Sequence, residues 1–99
     1  MNRFIRTDKF DSWLAKLQDR IGKARILQRL DAAQHGNFGD CASVGAGVSE
    51  MRIHAGPGYR VYFTRRGEVI YLLLLGGDKS TQARDIQSAK SLAKSLEEE

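Results

Sequence analysis

The sequence predicts an α+β fold: an N-terminal helical hairpin packed on a small, mainly antiparallel sheet of about three or four strands, followed by a C-terminal helix. Three observations predict it. Apolar residues recur at helical intervals from Phe10 to Ala33, and again from Ala83 to Leu96. Between these runs, Glu50 to Thr64 alternates with period two around Gly56-Pro57-Gly58. Val69 to Leu75 is apolar throughout, as expected of a strand covered on both faces. The 99 residues are read as one domain, with the helical hairpin at about 8–35, the sheet at about 47–76 and the last helix at about 81–97.

Phe4 and Ile5 read as a short edge strand. Thr7 or Asp8 caps a first helix, in which Phe10, Trp13, Leu14, Leu17 and Ile21 form one stripe. A second helix turns Ile26, Leu27, Leu30 and Ala33 inward and ends at His35-Gly36-Asn37, where Gly36 supplies a left-handed cap. Asn37 to Gly47 is rich in Gly, Asp and Ser and reads as a loop. The first central strand spans about Val48 to His54, and the chain returns from Tyr59 to Arg65. Arg66-Gly67 turns it into Val69–Leu75, expected to be the central and most covered strand. Gly76-Gly77-Asp78-Lys79 leaves the sheet. Ser80 or Thr81 caps the last helix, with Ala83, Ile86, Ala89, Ala93 and Leu96 on one stripe.

Composition narrows the partners. Sixteen Lys and Arg against twelve Asp and Glu give a net charge of +4. Three of the acids are Glu97, Glu98 and Glu99, so the remaining surface is more basic than that sum. Such a surface suits nucleic acid or an acidic protein. Cys41 is the only cysteine, which rules out an internal disulfide and a cysteine-based metal cluster and fits a reducing, cytoplasmic setting. The N-terminus has no apolar core of signal-peptide length, and no run approaches the ~20 apolar residues of a membrane span. No metal-ligand spacing is present, and no cofactor is expected.

Met51, Ile53, Tyr59, Val61 and Phe63 share one face of the strand pair. Glu50, Arg52, His54, Arg60, Tyr62 and Thr64 share the other. Pairing Ile53 with Val61 and Met51 with Phe63 keeps the apolar face whole. That register sets Arg52 opposite Tyr62 and His54 opposite Arg60, so the cations gather on one surface, within reach of one anionic ligand.

Trp13-Leu14, Gly36-Asn-Phe-Gly-Asp40, Val44-Gly-Ala-Gly-Val-Ser-Glu-Met-Arg-Ile53, Gly56-Pro-Gly-Tyr-Arg-Val-Tyr-Phe63 and Gly76-Gly-Asp-Lys-Ser-Thr-Gln82 with Asp85-Ile86 together resemble the small toxins of bacterial type II toxin–antitoxin modules. These form the RelE/ParE superfamily; the most similar branch is the HigB-like, or addiction-module killer, proteins. The resemblance runs from about residue 8 to 93. It implies a RelE-like fold and an endoribonuclease that cleaves messenger RNA on the translating 70S ribosome. It also implies a cognate helix-turn-helix antitoxin that silences the toxin.

Cleavage by the substrate's own 2′-hydroxyl requires in-line geometry, charge neutralisation at phosphorus and proton transfer. Guanidinium groups suit the second task, because they stay charged and fork onto two phosphate oxygens. Arg60 matches the arginine of the family's Gly-Tyr-Arg block and is assigned the scissile phosphate. Arg52 matches the Glu-x-Arg-Ile block and holds the same or a flanking phosphate. Lys79 leaves the last strand beside a helix N-terminus, where an anion is favoured. Glu50 is the candidate general base, by analogy with relatives that place a glutamate on this strand; an ion-pair partner for Arg52 or Arg60 is the competing reading. His54 has the intrinsic pKa for acid–base work. Several relatives place a Tyr or His as general acid near the C-terminus, and this sequence does not. Lys79, His54 and a water held by Gln82 are therefore the candidate acids. Tyr62 stacks on a base, orients the phosphate or packs against the neighbouring strand. Lys23, Arg25 and Arg29, with Lys16 and Arg20, form a basic flank for ribosomal RNA. Two other functions remain open from the sequence: a ParE-like inhibitor that binds DNA gyrase, and a non-catalytic RNA-binding module.

Overall fold

In the computed structural model, which describes residues 1–98, the chain opens with the short edge strand expected at Phe4 and Ile5, so the helices are not its first element. Strand β1 (Arg3–Arg6) is followed by helix α1 (Asp8–Lys16). Thr7 stays extended, and its Oγ1 accepts from the Phe10 N–H at 3.1 Å, which caps the helix. A cap of this kind contributes roughly 1 kcal/mol. Thr7 Oγ1 also donates to the carbonyls of Leu73 and Leu74, at 2.9 and 2.8 Å, tying the cap to the sheet. Helix α2 (Arg20–Gln34) starts afresh at Asp19, whose carboxylate accepts from the Gly22 N–H at 2.9 Å. It ends where Gly36 takes the left-handed conformation at φ 97°.

The new start at Asp19 changes the helix faces expected from the sequence. Ile21, assigned to the first helix, lies in the first turn of α2 and is 72% exposed. Gly22 is buried instead, because a side chain there would meet the Tyr59 ring. Leu27 is also exposed, while Ile26, Leu30 and Ala33 are buried. The two helices share one core cluster: α1 packs chiefly on the last strand, while α2 meets β3 and its C-terminal end lies beside β1.

The sheet has five strands: β1, β2 (Cys41–Gly45), β3 (Val48–Ile53), β4 (Tyr59–Arg65) and β5 (Ile70–Asp78), in the spatial order β1-β5-β4-β3-β2. It is mixed, because β1 runs parallel to β5 while every other pair is antiparallel. Two expectations are corrected here. The segment read wholly as a loop contains β2, whose small residues carry no alternating signal; it turns into β3 through Gly45, Ala46 and Gly47, all with positive φ. The central strand is β4, not β5, because β1 and β2 extend the sheet on both sides.

A single 3₁₀ turn (Lys79–Thr81) leads into helix α3 (Gln82–Glu97). Asp78 Oδ1 accepts from the Ser80 N–H at 2.8 Å and so caps the turn; Ala83, expected inward, is exposed. The C-terminal helix predicted from the sequence is present. It lies on the face of the sheet opposite α1 and α2, so the core has two halves. Phe10, Leu14, Ile26, Met51, Val61 and Phe63 belong to one. Val48, Tyr62, Leu74, Leu75, Ala89 and Ala93 belong to the other. Each large apolar side chain buried this way contributes roughly 1.5–3 kcal/mol. Apolar cover on both faces explains the unbroken apolar run of β5.

Candidate active site

Five residues, His54 to Gly58, connect β3 to β4. Ala55 N–H donates to the Ile53 carbonyl and Gly58 N–H to the Ala55 carbonyl, both at 3.0 Å. Gly56 and Gly58 adopt φ of 52° and 81°, which glycine takes without the Cβ penalty. This connection is longer than a tight turn and moves the register. Ile53 pairs with Tyr59, Met51 with Val61, Arg52 with Arg60 and Glu50 with Tyr62. The expected pairs, Ile53 with Val61 and Arg52 with Tyr62, are therefore each displaced by two residues. A shift of two preserves the faces. Arg52 and Arg60 stay on the same face and become direct cross-strand neighbours.

That face is covered by the start of α3 rather than open to water. Glu50 is 1% exposed. One of its oxygens accepts from Arg52 Nε at 3.0 Å, and the other from Tyr62 Oη at 3.0 Å and Gln82 Nε2 at 2.7 Å. Burial pushes the Glu50 carboxyl up, but the bonds from Gln82, Arg52 and Tyr62 and the charge of Arg60 together hold it below the usual range. Burial, then the bond to Glu50, pushes the Tyr62 phenol well above its ordinary value. Glu50 is thus a buried, ionised anchor with donors on both oxygens, and Tyr62 is fully buried against it.

Arg60 is 7% exposed. Its Nη1 donates to the carbonyls of Gly58 and Tyr59 at 3.2 and 3.1 Å. Its Nε is buried and has no hydrogen-bond partner among the described residues; Glu50 Oε1 lies 4.0 Å away. The end of β5 joins this group, because Lys79 N–H donates to the Gly58 carbonyl at 2.9 Å. A cavity of about 400 Å³ results, lined by His54, Gly56, Pro57, Gly58, Arg60 and Lys79.

His54 Nε2 lies 2.7 Å from Asp40 Oδ2, and Arg52 Nη1 lies 3.5 Å from Asp40 Oδ1. The His54 bond is the main cause of the lowered Asp40 pKa, outweighing the effect of burial. Asp40 closes the Gly36–Asp40 motif, and no local pattern links it to His54, fourteen residues away. Arg29 fixes the segment before β2. Its guanidinium donates to the carbonyls of Arg52 and Phe38 and, at 3.4 Å, of Asp40.

The sequence candidates therefore divide. Arg52, Arg60, Lys79, Glu50, His54, Tyr62 and Gln82 converge around one end of the sheet. Lys23 and Arg25 sit on α2, in the layer opposite α3, and do not line the cavity; Arg29 is engaged with backbone carbonyls. No group of three or more His, Cys, Asp or Glu able to hold a metal occurs among the described residues.

Comparison with known proteins adds two findings. A family model described as phage-derived protein Gp49-like (DUF891) matches residues 12–96. Over 87 residues the chain is 53% identical to a Haemophilus influenzae protein described as uncharacterized, covering 88% of each chain.

Proposed function

The chain belongs to the phage-derived Gp49-like family, and we propose that it is the toxin of a type II toxin–antitoxin module of the HigB-like, RelE/ParE kind. In this reading it is an endoribonuclease that cuts messenger RNA on the ribosome, and a helix-turn-helix antitoxin neutralises it. One observation carries the reading: a buried arginine, Arg60, with an unpartnered Nε beside a cavity lined by Lys79 and His54. Holding a guanidinium in this state costs free energy, and an anion bound against the group from the cavity offsets part of that cost.

The roles follow from position. Arg60 and Lys79 hold the scissile phosphate and neutralise charge as the 2′-oxygen attacks phosphorus. Arg52, anchored by Glu50 and facing Asp40, binds the neighbouring phosphate. His54 is oriented by Asp40 and carries the proton transfer at the cavity mouth. Glu50 acts through Arg52 and Arg60 rather than on the substrate, since both its oxygens are occupied. Tyr62 and Gln82 hold Glu50 in place. Lys23 and Arg25 contribute long-range attraction for ribosomal RNA.

The test is controlled expression followed by primer extension on a reporter messenger. Cuts within translated codons, absent in an Arg60→Ala variant, support the reading. Intact messages with broken chromosomal DNA overturn it in favour of gyrase inhibition, and intact messages with intact DNA overturn it outright.

A further inference from the structure

A second cavity, of about 600 Å³, opens between α1 and α3 and includes Trp13, Lys16, Gly76 and Arg84 in its walls. It exists because β1 is short. β1 pairs with β5 only from Ile70 to Leu73, and the chain then turns into α1 at Thr7. The edge of β5 beyond Leu74 is left uncovered. Lys79 N–H bonds to Gly58, so the alternating ladder points the Gly77 and Leu75 amides at β4. The N–H and C=O of Gly76 then face outward, into the cavity.

The walls carry three cations, Lys9, Lys16 and Arg84, and two carboxylates, Asp8 and Asp85. Lys9, Ser12, Trp13 and Lys16 form one stripe of α1 at three- and four-residue spacing, and Arg84, Asp85 and Ser88 form the facing stripe of α3. Lys9 and Lys16 have no ion-pair partner among the described residues, whereas Asp85 is bonded by Thr81 Oγ1 at 2.6 Å. The Trp13 indole closes the floor against Gly76, where a Cβ would come within 2.2 Å of it.

We propose that this gap is a nucleotide pocket, which seats a base of single-stranded RNA on the same strand as the cleaved phosphate. An aromatic floor, an outward backbone donor and acceptor, and unpaired cations match a base, its edge and its phosphates in turn. Gly76 neighbours Gly77, which pairs with Arg60 on the next strand, and the Trp13 ring and the Arg60 side chain lie on opposite faces of the sheet, so one RNA strand reaches both by crossing the end of β5. An extended acidic peptide fits less well, because one exposed residue pair of β5 is too short an edge for strand addition. The role as an RNA pocket rests on the nuclease reading, but its occupancy is measured separately.

Trp13 is the only tryptophan, so its emission reports the cavity directly. The protein is titrated with a 2′-O-methyl RNA hexamer, whose blocked 2′-oxygen cannot attack. Saturable quenching is expected, with the midpoint raised about 10-fold or more in a Lys16→Glu/Arg84→Glu variant. An Arg3→Glu/Lys94→Glu variant, with the same charge change elsewhere, is expected to stay within about twofold of the parent. Absent quenching, an unmoved midpoint in the first variant, an equal shift in the second, or quenching by an oligoglutamate peptide alone each overturn the proposal. Cleavage without quenching removes the pocket and leaves the nuclease. Quenching without cleavage does the reverse.

Discussion

Glu50 Oε1 and Arg60 Nε lie 4.0 Å apart, on the same face of adjacent strands, with neither atom exposed to a useful extent. The distance is short enough for strong attraction at low dielectric and too long for a hydrogen bond. Glu50 therefore balances the charge of Arg60 without consuming its donor. A closer contact would consume the Nε donor in a structural salt bridge. Arg52 and Gln82 saturate Glu50 from other directions, which keeps it from closing on Arg60.

Replacing Arg60 by Ala is expected to lower messenger cleavage by roughly 10²–10³-fold, the loss typical of one preorganised donor at a developing charge. Arg60→Lys is expected to recover little, because an ammonium cannot reproduce the planar fork. Primer extension measures both variants, with circular dichroism confirming that each is folded. Full cleavage by Arg60→Ala would remove Arg60 from the site.

His54→Ala and Asp40→Asn test the proton-transfer pair. Loss of His54 is expected to slow cleavage by about 10²–10⁴-fold, and loss of the Asp40 carboxylate by less. The double variant is expected to be no slower than His54→Ala, since Asp40 acts through the imidazole it orients. Additive losses would show that Asp40 has an independent task.

Glu50→Gln addresses the buried anchor. It leaves Arg60 without a counter-charge and places an amide among donors, at a cost of about 3–5 kcal/mol in denaturant unfolding. The parent also carries a pH signature. The Glu50 carboxyl is held below its ordinary 4.5, so its contribution is present above that value and is lost as pH falls through the folded-state pKa. The Glu50→Gln protein is expected to lose less stability between pH 5 and pH 3 than the parent. Parallel acid-denaturation curves would contradict this.

Gly76→Ala probes the contact beneath the second cavity. The added methyl falls 2.2 Å from the Trp13 ring, so either the indole or β5 must move. A cost of about 1–3 kcal/mol is expected, with a shift in tryptophan emission. Gly36→Ala is a control with nothing within 4 Å of its Cβ, where any cost comes from φ of 97° alone and the emission is expected not to move.

The grouping of Arg52 and Arg60 was legible in the sequence because face assignment depends only on whether residues are an odd or even number apart. It survived a register that differed from the expected one by two residues. The cross-strand partner was not legible, because the five-residue connection at Gly56-Pro57-Gly58 sets it, and alternation carries no information about loop length. Strand β2 was hidden because Cys41 to Gly45 has small side chains; what makes it a strand is the backbone edge of β3. The pairing of Asp40 with His54 was hidden for a similar reason: Arg29 fixes the Asp40 backbone by bonds to carbonyls, and those look alike in every residue.

By itself, then, the sequence determined the helices and principal strands, the apolar and polar faces of the β3–β4 pair, and the meeting of its cations on one of them. These are local periodicities, encoded residue by residue. Tertiary structure alone decided that α3 would cover the polar face, making Glu50 an anchor and leaving Arg60 buried with an open donor. It also decided that β1 would stop short and open the edge at Gly76. Both outcomes depend on which surfaces meet across the sheet, and burial and hydrogen-bond saturation exist only once they have met.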